Sequence, residues 1–186
     1  MTEVAQGILE VGTNGAGEVV VNHPDLMPDE NGVGHIVFSV SQAQNLASLL
    51  LKKASEAASE LQEKHRKEAE SVPVDRSKRV LTTGAPVPDD NSHMTDRGDG
   101  QQVDYVVLSA NERSKGFVRP YRDAYRHLKC GKITTMARSI AETYARDPHF
   151  YTGTFCTTCG AHFPIGEIGE FVWYEMDGST GPKVGV

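Results

Sequence analysis

Two short segments, His127-Leu128-Lys129-Cys130-Gly131 and Cys156-Thr157-Thr158-Cys159-Gly160, follow one template: ligand, two spacers, cysteine, glycine. Two spacers let both side chains of a pair turn toward one ion. The trailing glycine takes the positive φ that folds the backbone back and aims amide N–H groups at a thiolate. Together the segments supply three thiols and one imidazole, a Cys₃His set that suits a closed tetrahedral zinc site. His127 is the expected fourth ligand, with His162 and, more distantly, His149 as its rivals. The competing reading of Cys156-x-x-Cys159 is a redox pair, which needs a helix starting after a strand. Gly160, Pro164 and Gly166 stand against a long helix there, so structural Zn²⁺ is the expected cofactor.

A metal staple suits the rest of the chain. With 186 residues, 38% hydrophobic and 7% aromatic, the core is modest. Three cysteines and an N-terminus, MTEVAQGILEV, without a basic segment followed by an apolar one point to a reducing compartment, not a disulfide framework. The absence of an apolar run of about 18 residues argues against a membrane span. The expected location is the cytoplasm.

Charge is unevenly distributed. The net charge is −6, yet residues 113–146 hold nine Lys/Arg against two Asp/Glu. In that stretch Lys115, Arg119, Arg122 and Arg126 are interleaved with Tyr121 and Tyr125, a pattern that suits phosphate neutralisation and base stacking. The acidic residues 1–112, nine Lys/Arg against eighteen Asp/Glu, suit solvation or a basic protein surface.

The expected fold class is α+β: N-terminal short strands with one long amphipathic helix over 1–72, a flexible linker or loop over 73–102, and a zinc-ribbon-like domain over 103–186. Glu18–Asn22 and His35–Phe38 read as strands around a turn-rich loop. His23, Asp25, Asp29, Glu30 and His35 around that loop suit a polar turn better than a second site. The helix is capped by Ser39 or Ser41. Its stripe of Leu46, Leu49, Leu50, Ala54, Ala57 and Leu61 is a core face or a dimer seam, so a homo-oligomer through 39–70 is a candidate. Thr82–Asp90 and Arg97–Gly100 read as loop material, and the Arg97-Gly98-Asp99 triplet as chance. Strands are expected at Val103–Leu108, Tyr151–Phe155 and Glu170–Tyr174. A helix capped by Thr134 or Thr135 carries Met136, Ile140, Ala141 and Tyr144, and Asp147-Pro148 stops it.

Lys115-Gly116-Phe117-Val118-Arg119-Pro120, Tyr125-Arg126-His127 with Cys130-Gly131, Ala141–Pro148, and Phe155-Cys156 with Cys159 resemble a group of small zinc-binding proteins encoded by bacteriophages and prophages. His23-Pro24-Asp25-Leu26 with Gly34–Ser39 is similar to the N-terminal part of the same group. The resemblance spans roughly two-thirds of the chain and skips 71–102. It implies a phage origin, a bacterial host cytoplasm and zinc, without supplying an activity.

Two function classes follow: a zinc-stapled phage protein that binds nucleic acid or acts as a regulator, or a protein-binding inhibitor or adaptor of a host or phage machine. An enzyme is the third class and the least supported. The zinc deaminase pattern fails at Leu128-Lys129 and at Phe155, and a Cys₃His set leaves no open position for water. Phosphate-loop, nucleophile-elbow and zincin motifs are missing.

Overall fold

The structure is a computed structural model, and it describes residues 10–22, 34–175 and 177–186. It is mixed α+β, and the chain divides into two compact units, Met1–Glu60 and Leu61–Val186.

In the first unit β1 (Glu10–Thr13), β2 (Val19–Asn22) and β3 (His35–Phe38) pair antiparallel in chain order. β2 is central, as its three consecutive valines favour. The Asn14 side chain accepts from the amides of Ala16 and Glu18 to close the first hairpin. Helix α1 (Val40–Ser71) starts at a reciprocal cap: the Gln42 amide donates to Ser39 Oγ (3.3 Å), and the Ser39 amide donates to Gln42 Oε1 (2.9 Å). This selects Ser39 over Ser41. The apolar stripe lies at the surface, with Leu49 59% and Leu50 61% exposed. His35 is exposed on β3, while His23, Asp25, Asp29 and Glu30 lie outside the described residues.

In the second unit β4 (Arg79–Leu81) pairs with β5 (Val106–Leu108), followed by the short helix α2 (Ala110–Arg113). A four-stranded antiparallel sheet has the order β11-β10-β6-β7, built from β6 (Ala124–His127), β7 (Ile133–Thr135), β10 (Phe171–Tyr174) and β11 (Thr180–Lys183). Helix α3 (Arg138–Arg146) leads to a separate hairpin, β8 (Gly153–Cys156) with β9 (Ala161–Pro164). Tyr125, Tyr144, Phe171, Trp173 and Val184 form the core with Cys156. Tyr125 meets Phe171, and Tyr144 meets Trp173, edge-to-face at 5.4 Å.

Three expectations need correction. Residues 73–102 are not a bare linker: they carry β4 and a 3₁₀ turn at Ser92–Met94, and they belong to the second unit. Their order comes from side chains gripping turns, which leaves no periodicity to read. Buried Asp104 accepts from the Thr82 and Thr83 hydroxyls and the Tyr105 amide, while Asp96 accepts from the amides of Gly98 (2.7 Å) and Gly100 (3.0 Å). Thr134 and Thr135 do not cap a helix. Ile133–Thr135 is a strand, in keeping with its β-branched run, and α3 begins after Ala137 with no side-chain cap. The strand expected from Val103 begins only at Val106.

From Leu61 onward α1 belongs to the second unit, which holds the end of the helix internally. Arg146, 1% exposed, donates to the carbonyls of Ala69 (2.8 Å) and Val72 (2.6 Å). A cation suits that helix end, where carbonyls lack intrahelical donors and the dipole is negative. Next to it, Asp147 accepts two hydrogen bonds from Arg76, at 2.6 and 2.9 Å.

Candidate metal centre

Both half-sites sit at hairpin turns. His127 ends β6 and Cys130 lies in the turn to β7; Cys156 ends β8 and Cys159 lies in the turn to β9. The turns close alike. The Gly131 amide donates to the His127 carbonyl (2.8 Å) and the Gly160 amide to the Cys156 carbonyl (2.9 Å). Gly131 and Gly160 have φ of 72° and 63°, the left-handed conformation the template required.

One potential ligand atom from each of His127, Cys130, Cys156 and Cys159 falls in a group whose members all lie within 4.8 Å of one another. The Sγ atoms of Cys130 and Cys156 are 3.6 Å apart, and Cys159 Sγ is 3.5 Å from His127 Nδ1. These four side chains form a site that can hold a metal ion. The rivals stand elsewhere: the His162 ring is hydrogen-bonded to the Tyr105 hydroxyl (3.1 Å), and His149 lines a different cavity.

His127 is held by two aromatic rings and a carboxylate. Its ring stacks on Phe163 and on Phe171, with centroids 4.6 and 4.7 Å away, and those two rings lie 6.3 Å from each other. Its Nε2 lies 2.9 Å from Glu170 Oε2. A carboxylate there keeps the proton on Nε2 and leaves the Nδ1 lone pair toward the thiols, the usual outer partner of a metal-bound imidazole. Glu170 also pairs with Lys129 (2.7 Å). These hydrogen bonds, first His127 and then Lys129, hold its carboxyl below the usual range. No local pattern marks Glu170 in the sequence; it reaches His127 because Phe171 pairs with His127 across β10 and β6.

The thiols are electrostatically unequal. For Cys156 burial is the largest single influence and raises its pKa, but the Cys159 amide and the Cys130 and Cys159 thiols together hold it below the ordinary value. The Cys159 thiol is pushed up to about 11, by lost hydration first and then by the neighbouring sulfurs. Three clustered thiols cannot all ionise unless a cation shares their charge, which a bound divalent ion supplies.

Tertiary contacts brace the second turn. Thr134 Oγ1 on β7 accepts from the Thr157 amide (3.3 Å) and lies 3.2 Å from its hydroxyl. The 96–100 loop packs on the same turn so closely that a Cβ at Gly100 would lie 1.9 Å from the Gly160 carbonyl oxygen.

The basic segment is divided between the core and the surface. β6 alternates, turning Tyr125 and His127 inward. Tyr125 is 2% exposed and its hydroxyl donates to the Phe155 carbonyl (2.6 Å), so its ring belongs to the core and offers no stacking platform. Arg122 pairs with Glu175 (2.7 Å), Lys115 with Glu112, Arg113 with Glu142 (2.9 Å), and Arg126 lies over the Tyr174 ring. Arg119 donates to the Val186 carbonyl (3.3 Å), and Tyr121 is exposed. Of the nine Lys/Arg in 113–146, Lys115, Arg122 and Lys129 pair with acids from outside the segment, and Arg113 and Arg138 share Glu142 within it.

Among the described residues no helix is long and apolar enough to cross a membrane. No protein-family model, curated protein or solved structure matches the chain, so the donor geometry alone carries the assignment of a candidate metal centre.

Proposed function

We propose that the second unit is a zinc-ribbon-like, non-catalytic module in which His127, Cys130, Cys156 and Cys159 hold one structural Zn²⁺. The observation that carries this reading is the donor cluster with Glu170 behind its imidazole. Zinc bonds of about 2.3 Å to sulfur and 2.0–2.1 Å to nitrogen make tetrahedral edges of about 3.6–3.8 Å. The 3.6 and 3.5 Å separations in the cluster suit such edges. Four protein donors leave no open position, which favours a fastening role over a hydrolytic one. The ion joins the β6–β7 and β8–β9 hairpins, and Cys156 also belongs to the core, so binding and folding are coupled.

The single tryptophan reports on this coupling, because Trp173 is buried in the same core. Purified full-length protein is expected to carry one zinc per chain by elemental analysis. Chelation should shift Trp173 fluorescence and lower the melting temperature, and Cys156→Ser should lose metal and destabilise the unit. Full metal content in Cys156→Ser, or an unchanged melt after the metal is stripped, refutes the assignment.

For the partner, the exposed leucines of α1 favour protein over nucleic acid, since ion pairs and burial occupy most of the basic segment. We infer that a second copy of the chain covers this stripe. A helix of 32 residues, about 48 Å long, bears the stripe, with Leu46, Leu49, Leu50 and Leu61 all exposed on it. Sedimentation should show a dimer that Leu49→Glu with Leu50→Glu converts to monomer; a wild-type monomer at about 100 µM removes this reading. The phage resemblance is compatible with such an adaptor.

A further inference from the structure

Apart from the metal centre, the second unit has a cleft of about 550 Å³ lined by residues of β4, β5 and the start of β8. That is the size of a small-molecule site and far larger than a lone inorganic anion needs. Its lining includes Arg76, Arg79, His93 and His162, and no Asp or Glu. Arg76 is paired with Asp147 and burial holds the His162 pKa below its ordinary value, so Arg79 is the free permanent cation of the lining among the described residues.

The four groups differ in state. Arg76 is fixed by its paired bonds to Asp147. Arg79 has its backbone held by pairing with Leu108, while its guanidinium is exposed and makes no ion pair among the described residues. His93 is 6% exposed, and its Nδ1 has no hydrogen-bond partner among the described residues. His162 is oriented by the Tyr105 hydroxyl. An unpaired guanidinium fork beside imidazoles recognises phosphate oxygens, and the rings of Tyr105 and Phe150 in the same lining supply flat apolar walls.

We propose that this cleft binds a nucleoside phosphate. Arg79 engages the phosphate monoester with His93 and His162 beside it, and the base rests on Tyr105 and Phe150. The shared chemistry, a terminal phosphate on a nucleoside, occurs both in a free mononucleotide and at the 5′ end of a strand. The reading goes beyond the metal assignment, and its test keeps the two apart.

The test is isothermal titration of the full-length, metal-loaded protein with adenosine 5′-monophosphate, adenosine, inorganic phosphate and a 5′-phosphorylated oligonucleotide. Metal content and Trp173 fluorescence are checked for every variant. The monophosphate or the phosphorylated strand is expected to bind more tightly than about 1 mM, with adenosine and phosphate each at least about tenfold weaker. Arg79→Met, which keeps the aliphatic stem, should weaken binding at least about tenfold. Arg119→Ala, in a different cavity, should leave it unchanged. Preference for the free nucleotide or for the strand assigns the source. If protein with intact metal binds neither at about 5 mM, or if Arg79→Met binds as well as wild type, the proposal is overturned.

Discussion

Glu170 offers a sharp test of the metal centre because it touches the proposed ion only through His127. Glu170→Ala removes the carboxylate 2.9 Å from Nε2 and with it the preference for the tautomer that frees Nδ1. Loss of such outer partners weakens metal binding about 10- to 100-fold. Here Phe163 and Phe171 still pack against the ring at 4.6 and 4.7 Å, so orientation largely survives and the main loss is the tautomer. The expected loss is therefore near the lower end, about tenfold. Glu170→Gln keeps an oxygen acceptor and should lose less. Lys129→Ala breaks only the bond from the well-exposed lysine and should change nothing measurable. The assay is competition for Zn²⁺ against a chromogenic chelator at fixed pH. In a His127→Cys background, where no tautomer matters, Glu170→Ala should have no further effect. Affinity of Glu170→Ala within about twofold of wild type, or an equal loss in the Cys background, refutes the role given to Glu170.

Three more predictions follow from the same geometry. Gly100→Ala should disturb the metal site severely, because its Cβ would meet the Gly160 carbonyl oxygen, whereas Gly131→Ala meets open space and should cost only the about 1–2 kcal/mol of a positive φ; metal content and thermal melts separate the two. Arg146→Ala leaves the Ala69 and Val72 carbonyls without a donor and opens a cavity, so urea unfolding should show a loss of about 2–4 kcal/mol, and Arg146→Lys, lacking the fork, should recover little of it. With its pKa pushed up to about 11, the Cys159 thiol is protonated at pH 7 before metal arrives, so binding must release that proton and affinity must rise with pH; titration in buffers of different ionisation enthalpy should detect at least one proton released per ion, and none released contradicts the thiolate set.

The metal centre was legible because its chemistry is local. Two spacers between ligands and a following glycine are properties of five-residue segments, and the turns they dictate form alike at Gly131 and Gly160. The long helix was legible for a similar reason: Ser39 and Gln42 cap it through neighbours three residues apart. Hairpin strands were less so. The Tyr125-x-His127 alternation is only four residues long, and pairing with β10 and β7 decides which side turns inward. Ile133–Thr135 looked like a helix start because threonine suits a cap, yet the Gly131 turn folds those residues back onto β6.

What amino-acid order determined by itself was the pair of cysteine-glycine turns, the α+β class and the extent of α1, since each rests on interactions between residues close in the chain. Only the tertiary structure decided which histidine joins the thiols, that Glu170 stands behind it, and that Asp104, Arg146 and the 96–100 loop tie residues 73–102 and the end of α1 into the second unit. The same is true of charge: Arg122 and Lys129 look free in sequence, and folding supplies Glu175 and Glu170. Those pairings span 22 to 77 residues, and their cause is strand register and packing, which no short segment encodes.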